Sequence, residues 1–117
     1  MITIYGIPNC DKCRAARKWF AANGVNASFH NLRADGLDAK TLKDWQTVLG
    51  DDALINKRSQ TWRKIPEPDR QELDVNGSRQ LMLNHPTLIK RPIVTNGSAV
   101  AVGYDEKGWT ENFLNGK

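Results

Sequence analysis

The only two cysteines of the chain stand three positions apart, in Cys10-Asp11-Lys12-Cys13. Thiols at that spacing cannot close the long loops by which disulfides hold small secreted domains together, so they read as chemistry and not as scaffold. A cysteine attacks as its thiolate, and its pKa falls from about 8.5 to roughly 3.5–7.5 at a helix N-terminus or beside a cation. Gly6-Ile7-Pro8-Asn9 breaks the segment before Cys10, and Ala15, Ala16, Trp19 and Phe20 recur after it at helical spacing. Cys10 is therefore expected at the mouth of a helix, where unpaired amides, the positive end of the dipole and nearby Lys12 and Arg14 favour the anion. Cys13, one turn along the same face, is expected to be less exposed and to attack a mixed disulfide formed at Cys10. The motif also fits half of a zinc site or a pair of small buried residues. Zinc takes about four ligands, however, and His30 and His85 lie far apart without a paired spacing, so no metal is expected.

Arg91-Pro92 is the second chemical feature. Proline donates nothing to a sheet ladder, so one at a strand start belongs in a special backbone arrangement such as a cis peptide. An arginine there would bind an anionic group beside the sulfur through two parallel donors, which lysine cannot do; a solvated basic residue is the bland alternative. His30 and His85 are too isolated for acid–base work. Trp19, Trp45, Trp62 and Trp109 are expected to anchor packing and not to stack on bases.

These residues need elements to position them. Ile2 to Tyr5 suit a first strand, residues 10–23 a helix stopped by Asn23-Gly24, and Val25, Ala27 and Phe29 alternate as in a second strand, giving a right-handed parallel βαβ unit. Asp38 is placed to cap a helix with Leu42, Trp45, Val48 and Leu49 on one face, ending near Gly50. Pro66 and Pro68 interrupt the stretch from Asp51 to Asp74, which suggests short helices joined by turns. Ser78 is the expected cap of a helix through Leu83, stopped by Pro86. Asn96-Gly97 between Pro92–Thr95 and Ser98–Val102 is a hairpin signal, and a closing helix over 105–114 is weakened by Gly108. The order is that of an α/β, thioredoxin-like fold with a mixed four-stranded sheet and an inserted helical region.

With 117 residues, 39% hydrophobic and 26% charged, the chain suits one folded domain with its own core. No stretch nears the roughly 20 apolar residues that cross a bilayer, and Met1 to Tyr5 lacks the basic and apolar regions of a signal peptide, so a cytoplasmic protein without a membrane partner is expected. The net charge of +4 favours acidic partners. Because the basic residues are dispersed along the chain, a nucleic-acid partner is not expected.

Three segments together, Tyr5-Gly6-Ile7-Pro8-Asn9-Cys10, Asn56-Lys57-Arg58 and the run from Leu81 to Val94 through His85-Pro86-Thr87-Leu88-Ile89-Lys90-Arg91-Pro92, resemble the arsenate reductase (ArsC) family, most closely its YffB-like branch. The resemblance implies a single domain over 1–117, with a thioredoxin-like core about 1–33 and 87–117 and a helical insertion about 34–86. It implies a catalytic cysteine at Cys10 and an arginine in a cis-proline setting at Arg91-Pro92. It also implies a further arginine, Arg58, at the active site. Beside Cys10, with Cys13 as the second catalytic cysteine, Asn9 and Lys12 are expected to join Arg58, Arg91 and Pro92 in binding substrate. Family members that reduce arsenate hold the oxyanion with arginines and complete the cycle with glutathione and glutaredoxin. Their third arginine would fall in Val102-Gly103-Tyr104-Asp105, which has none; losing a charge-assisted donor of about 1.5–3 kcal/mol weakens oxyanion capture by one to two orders of magnitude. The expectation is a glutathione-dependent thiol/disulfide reductase, monomeric and without a bound cofactor. Glutathione is its co-substrate and glutaredoxin a further partner, with Arg58 and Arg91 receiving a carboxylate of glutathione or the anion of a mixed disulfide. The alternatives are an arsenate reductase and a regulator similar to Spx, which binds RNA polymerase, in which a Cys10–Cys13 disulfide would alter a protein interface.

Overall fold

The chain begins with β1 (Thr3–Gly6), whose alternate residues Ile4 and Gly6 point into the protein, followed by the turn that leads into α1 (Asp11–Ala22). The computed structural model describes residues 1–114. The chain divides into two compact units, one made of residues 1–35 and 91–117 and the other of residues 36–90.

In the first unit α1 buries Cys13, Ala16 and Phe20, three residues that share a face because they lie about a turn apart. The helix ends where the Asn23 side chain donates to the Trp19 carbonyl at 2.8 Å and Gly24 turns left-handed at φ 73°. β2 is Ser28–Asn31, three residues later than the alternation of Val25, Ala27 and Phe29 suggests. The Val25 amide donates back to the Phe20 carbonyl at 2.9 Å, so this residue completes the helix end, and the ladder opens only where the Ser28 amide reaches the Ile2 carbonyl at 2.8 Å. β3 (Ile93–Thr95) and β4 (Val100–Val102) complete a four-stranded sheet in the order β2-β1-β3-β4. β1 runs parallel to β2, with Ile4 opposite Phe29, and antiparallel to β3, with Ile4 opposite Val94; β3 and β4 are antiparallel. The fold is thus α/β with a mixed sheet, and its thioredoxin-like class is the one expected.

The hairpin between β3 and β4 uses four residues, not two. Thr95 pairs with Val100, Gly97 takes φ 97°, and the Asn96 side-chain oxygen accepts the amides of Ser98 at 2.9 Å and Ala99 at 2.8 Å. After β4, α7 (Glu106–Trp109) continues into a wider π-type turn over Thr110–Leu114. Gly108 does not weaken this segment. Its amide donates to the Asp105 carboxylate at 3.1 Å, and a Cβ at 108 would lie 2.4 Å from Asp105 Oδ2, so the glycine is what lets the cap close. Ile2, Ile4, Ala16, Phe20, Val94, Trp109 and Phe113 form the core of this unit. Trp109 lies 5.1 Å from Phe20 and 5.3 Å from Trp19, ring centre to ring centre.

In the second unit α2 (Ala39–Leu49) and α6 (Val75–Asn84) pack together, joined by α3 (Asp51–Leu54), α4 (Gln60–Lys64) and α5 (Glu67–Arg70); a 3₁₀ turn over Pro86–Leu88 follows α6. Leu42, Trp45, Leu54, Met82, Leu88 and Ile89 are among its buried residues. Asp38 takes the N-cap position of α2 without a side-chain cap bond. The cap of α6 is Asp74, whose carboxylate accepts the Gly77 amide at 2.7 Å; Ser78, the expected cap, lies inside the first turn and is buried. Trp62 sits between two cations, with the Lys57 ammonium 5.7 Å and the Arg70 guanidinium 5.5 Å from its ring centre. Among the described residues no helix is long and apolar enough to cross a membrane.

Candidate functional site

The site is assembled where β1 hands over to α1. Gly6 closes the strand, Ile7 is buried, Pro8 and Asn9 are exposed, and Cys10 takes extended backbone angles (φ −109°, ψ 121°) as the N-cap of α1. That conformation ends the strand and presents the sulfur to the first turn of the helix, whose amides have no intrahelical partner. Cys10 is partly exposed and Cys13 is buried, at 1% exposure.

The two thiols are driven apart in acidity. Burial pushes the Cys10 pKa up, but this is outweighed by the Cys13 amide, the Cys13 thiol and the Arg91 guanidinium, which acts both as donor and as charge, and the net shift is downward. The Cys13 amide faces the sulfur without making a regular capping hydrogen bond. At Cys13 burial acts first and upward, the Ile7 amide opposes it, the neighbouring Cys10 sulfur adds to it, and the thiol is pushed up to about 11. One sulfur is thus eased toward the anion while the other keeps its proton and donates it to the first. Such a pair places a nucleophile beside a protonated thiol, and the thiolate is the form in which a cysteine enters thiol–disulfide exchange.

The Arg91-Pro92 peptide is cis, Pro92 is buried, and its carbonyl accepts the Gly103 amide at 2.8 Å from just beyond β4. Strand β3 and the turn after β4 thus fix the segment that carries the guanidinium. The two other cations expected near the thiol do not act on it. Arg14 pairs with the Asp11 carboxylate and donates to the Pro8 carbonyl at 3.2 Å, and exposed Lys12 is absent from the groups that shift Cys10. Of the expected cations, the one that acts on Cys10 is Arg91, 81 positions further along the chain.

Cys10, Cys13, Arg91, Pro92, Asn9 and Lys12 all belong to the sheet-bearing unit, whereas Arg58 belongs to the unit of residues 36–90. There Arg58 is exposed, its amide donates to the Asn56 side chain at 3.0 Å, and with Asp52, Asn56, Lys57 and Lys90 it lines a hollow of about 300 Å³. Among the described residues no three of His, Cys, Asp and Glu converge to hold a metal. One contributor was invisible in the sequence: Gly6, which lies directly behind the Cys13 sulfur. Its CxxC neighbours carry a pattern, but a lone glycine before a turn has no signature that separates packing from turn-making.

The chain matches the ArsC family model over residues 5–112, a span that includes the β1–α1 turn, both cysteines and Arg91. It belongs to the ArsC family. An uncharacterized protein of Haemophilus influenzae is 41% identical over 113 residues, covering 97% of this chain and 99% of the relative. The solved structure of a protein named YffB has a TM-score of 0.91 and is 32% identical, covering 95% of this chain and 97% of that one. The global transcriptional regulator Spx of Streptococcus pyogenes is 30% identical over 108 residues, covering 91% of this chain and 80% of its own length. The ArsC-family fold is thiol-reductase-like, and the Spx relative is named a transcriptional regulator.

Proposed function

We propose that the protein is a glutathione-dependent thiol–disulfide reductase, with Cys10 as the attacking sulfur and Cys13 as the resolving one. The Cys10 thiolate attacks one sulfur of a disulfide substrate; a bond forms between them, and the other substrate sulfur leaves and takes a proton from water. Cys13 gives up its proton to solvent and attacks the Cys10 sulfur, the Cys10–Cys13 disulfide forms, and the second substrate thiol is released. Two glutathione molecules then restore the dithiol, the first by a mixed disulfide and the second by displacing glutathione disulfide. The balance is one substrate disulfide and two glutathiones in, two substrate thiols and one glutathione disulfide out.

The observation that carries this reading is the opposite treatment of two adjacent sulfurs: Arg91 and the helix amide ease Cys10 toward the anion, while burial keeps Cys13 protonated. Arg91 is the group to receive the anion of a mixed disulfide, and Arg58 is proposed to meet a carboxylate of glutathione. The exposed Asn9 and Lys12 would border the incoming substrate. Glutaredoxin is proposed as a further electron partner, and a monomer in the reducing cytoplasm as the working state. Arsenate reduction is the weaker reading, since Val102-Gly103-Tyr104-Asp105 supplies no arginine for an oxyanion. The Spx relative favours a second reading, in which the Cys10–Cys13 disulfide changes a protein-binding surface without turnover.

Glutathione-coupled reduction of a small disulfide separates these readings. Cys10→Ser is expected to abolish turnover, and Cys13→Ser to retain part of it by a monothiol route while accumulating the mixed disulfide. Undiminished turnover in Cys10→Ser overturns the assignment. A wild-type chain without turnover that binds RNA polymerase in only one redox state supports the regulator instead.

A further inference from the structure

Gly6 is a glycine whose backbone does not need to be one. Five other glycines take positive φ angles, from 73° to 97°, but Gly6 does not, and it pairs with Asn31 as an ordinary rung of the β1–β2 ladder. Glycine in a strand weakens the strand and commonly marks a place where another group must come close. Here that group is a sulfur. A Cβ built on Gly6 would lie 2.3 Å from Cys13 Sγ and 3.2 Å from Cys13 Cβ, and the next atom it meets, Phe29 Cε1 at 3.5 Å, is an ordinary contact.

We infer that Gly6 is a positioning residue for Cys13, the hydrogen in place of a side chain leaving the niche in which the resolving sulfur sits beside Cys10. The inference rests on the reductase reading for its catalytic consequence, but the niche itself does not depend on it. Sγ in this niche meets the Ile7 amide and the Cys10 sulfur together. Any methyl group at position 6 evicts it. In the dithiol form Cys13 can relieve the clash by rotating about χ1, whereas in the Cys10–Cys13 disulfide the sulfur is tied and cannot. A methyl group therefore penalises the disulfide more than the dithiol, slows the resolving attack, and deprives Cys10 of the thiol hydrogen bond that favours its anion.

The test is Gly6→Ala, read in three ways. Forcing the tied sulfur well off its rotamer is worth up to about tenfold in an equilibrium. Equilibration with glutathione buffers should accordingly show the Cys10–Cys13 pair shifted toward dithiol by up to about tenfold, which is about 30 mV for this two-electron couple. The mixed disulfide at Cys10 should persist up to about tenfold longer than in the wild type, and for less time than in Cys13→Ser. In a Cys10→Ser background, where no exchange chemistry operates, Gly6→Ala should raise the alkylation rate of Cys13 several-fold; that result tests the niche even if the chain proves not to be a reductase. Gly6→Ala combined with Cys13→Gly removes both atoms of Cys13 that the methyl meets and should match the stability and the Cys10 alkylation rate of Cys13→Gly alone. Unchanged Cys13 alkylation and an unchanged dithiol–disulfide equilibrium in Gly6→Ala overturn the inference. So does a double variant clearly less stable than Cys13→Gly alone, because the glycine would then serve the strand and not the sulfur.

Discussion

At the scale of single residues, the site works by giving two identical side chains different surroundings. Cys10 is held below its ordinary acidity range by a guanidinium and a helix amide, and Cys13 is held above it by burial. The raised Cys13 value has a consequence for stability. In the unfolded chain this thiol titrates near an ordinary cysteine's 9.0, and in the folded chain at about 11, so the unfolded state loses the proton first. The contribution of Cys13 is therefore fully present below pH 9.0, falls as pH rises, and is gone above about 11. Urea titrations of the reduced protein across that window should show wild type losing stability more steeply than Cys13→Ala; parallel slopes would mean that the sulfur is not buried in solution. Cys10 has the opposite sign, its contribution being lost as pH falls through its lowered folded value. Of these features, the place of Cys10 at the mouth of a helix was legible in the sequence from a strand, a breaker and a helix in succession. Its cation was legible in part: Arg91 was expected beside the sulfur, but Lys12 and Arg14, nearer in sequence, were expected to share that role.

At the scale of elements, sequence patterns located the helices and strands and erred at their ends. Two of the misplaced boundaries have one cause, which is that several residues of the right chemistry competed for one position. Asp74 and Ser78 both suit a helix cap, and only the fold buries Ser78 and leaves the carboxylate of Asp74 on the Gly77 amide. Val25 suits a strand, but its amide is taken by the Phe20 carbonyl. Replacing Asp74 by Ala should cost about 1 kcal/mol, the usual worth of a cap, and lower Tm by a few degrees in a thermal melt followed by circular dichroism. A Tm unchanged by Asp74→Ala would return the cap to Ser78.

At the scale of the whole molecule, the sheet-bearing unit depends on a cluster of rings on one side of β1 and β3. Phe20 is fully buried, 5.1 Å from Trp109 and 6.4 Å from Phe113, ring centre to ring centre. Phe20→Ala should destabilise by about 3–5 kcal/mol, a large share of the 5–15 kcal/mol that holds a typical domain, and a urea midpoint close to wild type would contradict this packing. Because α1 carries Phe20 at one end and the thiols at the other, the same variant should also slow alkylation of Cys10. The indoles divide evenly: Trp19 and Trp109 touch within the sheet-bearing unit, while Trp45 and Trp62 belong to residues 36–90. Each half of the chain thus carries its own fluorophores. A form with phenylalanine at 45 and 62 would emit only from the half that holds the cysteines, and would let its melting be watched in isolation from its neighbour.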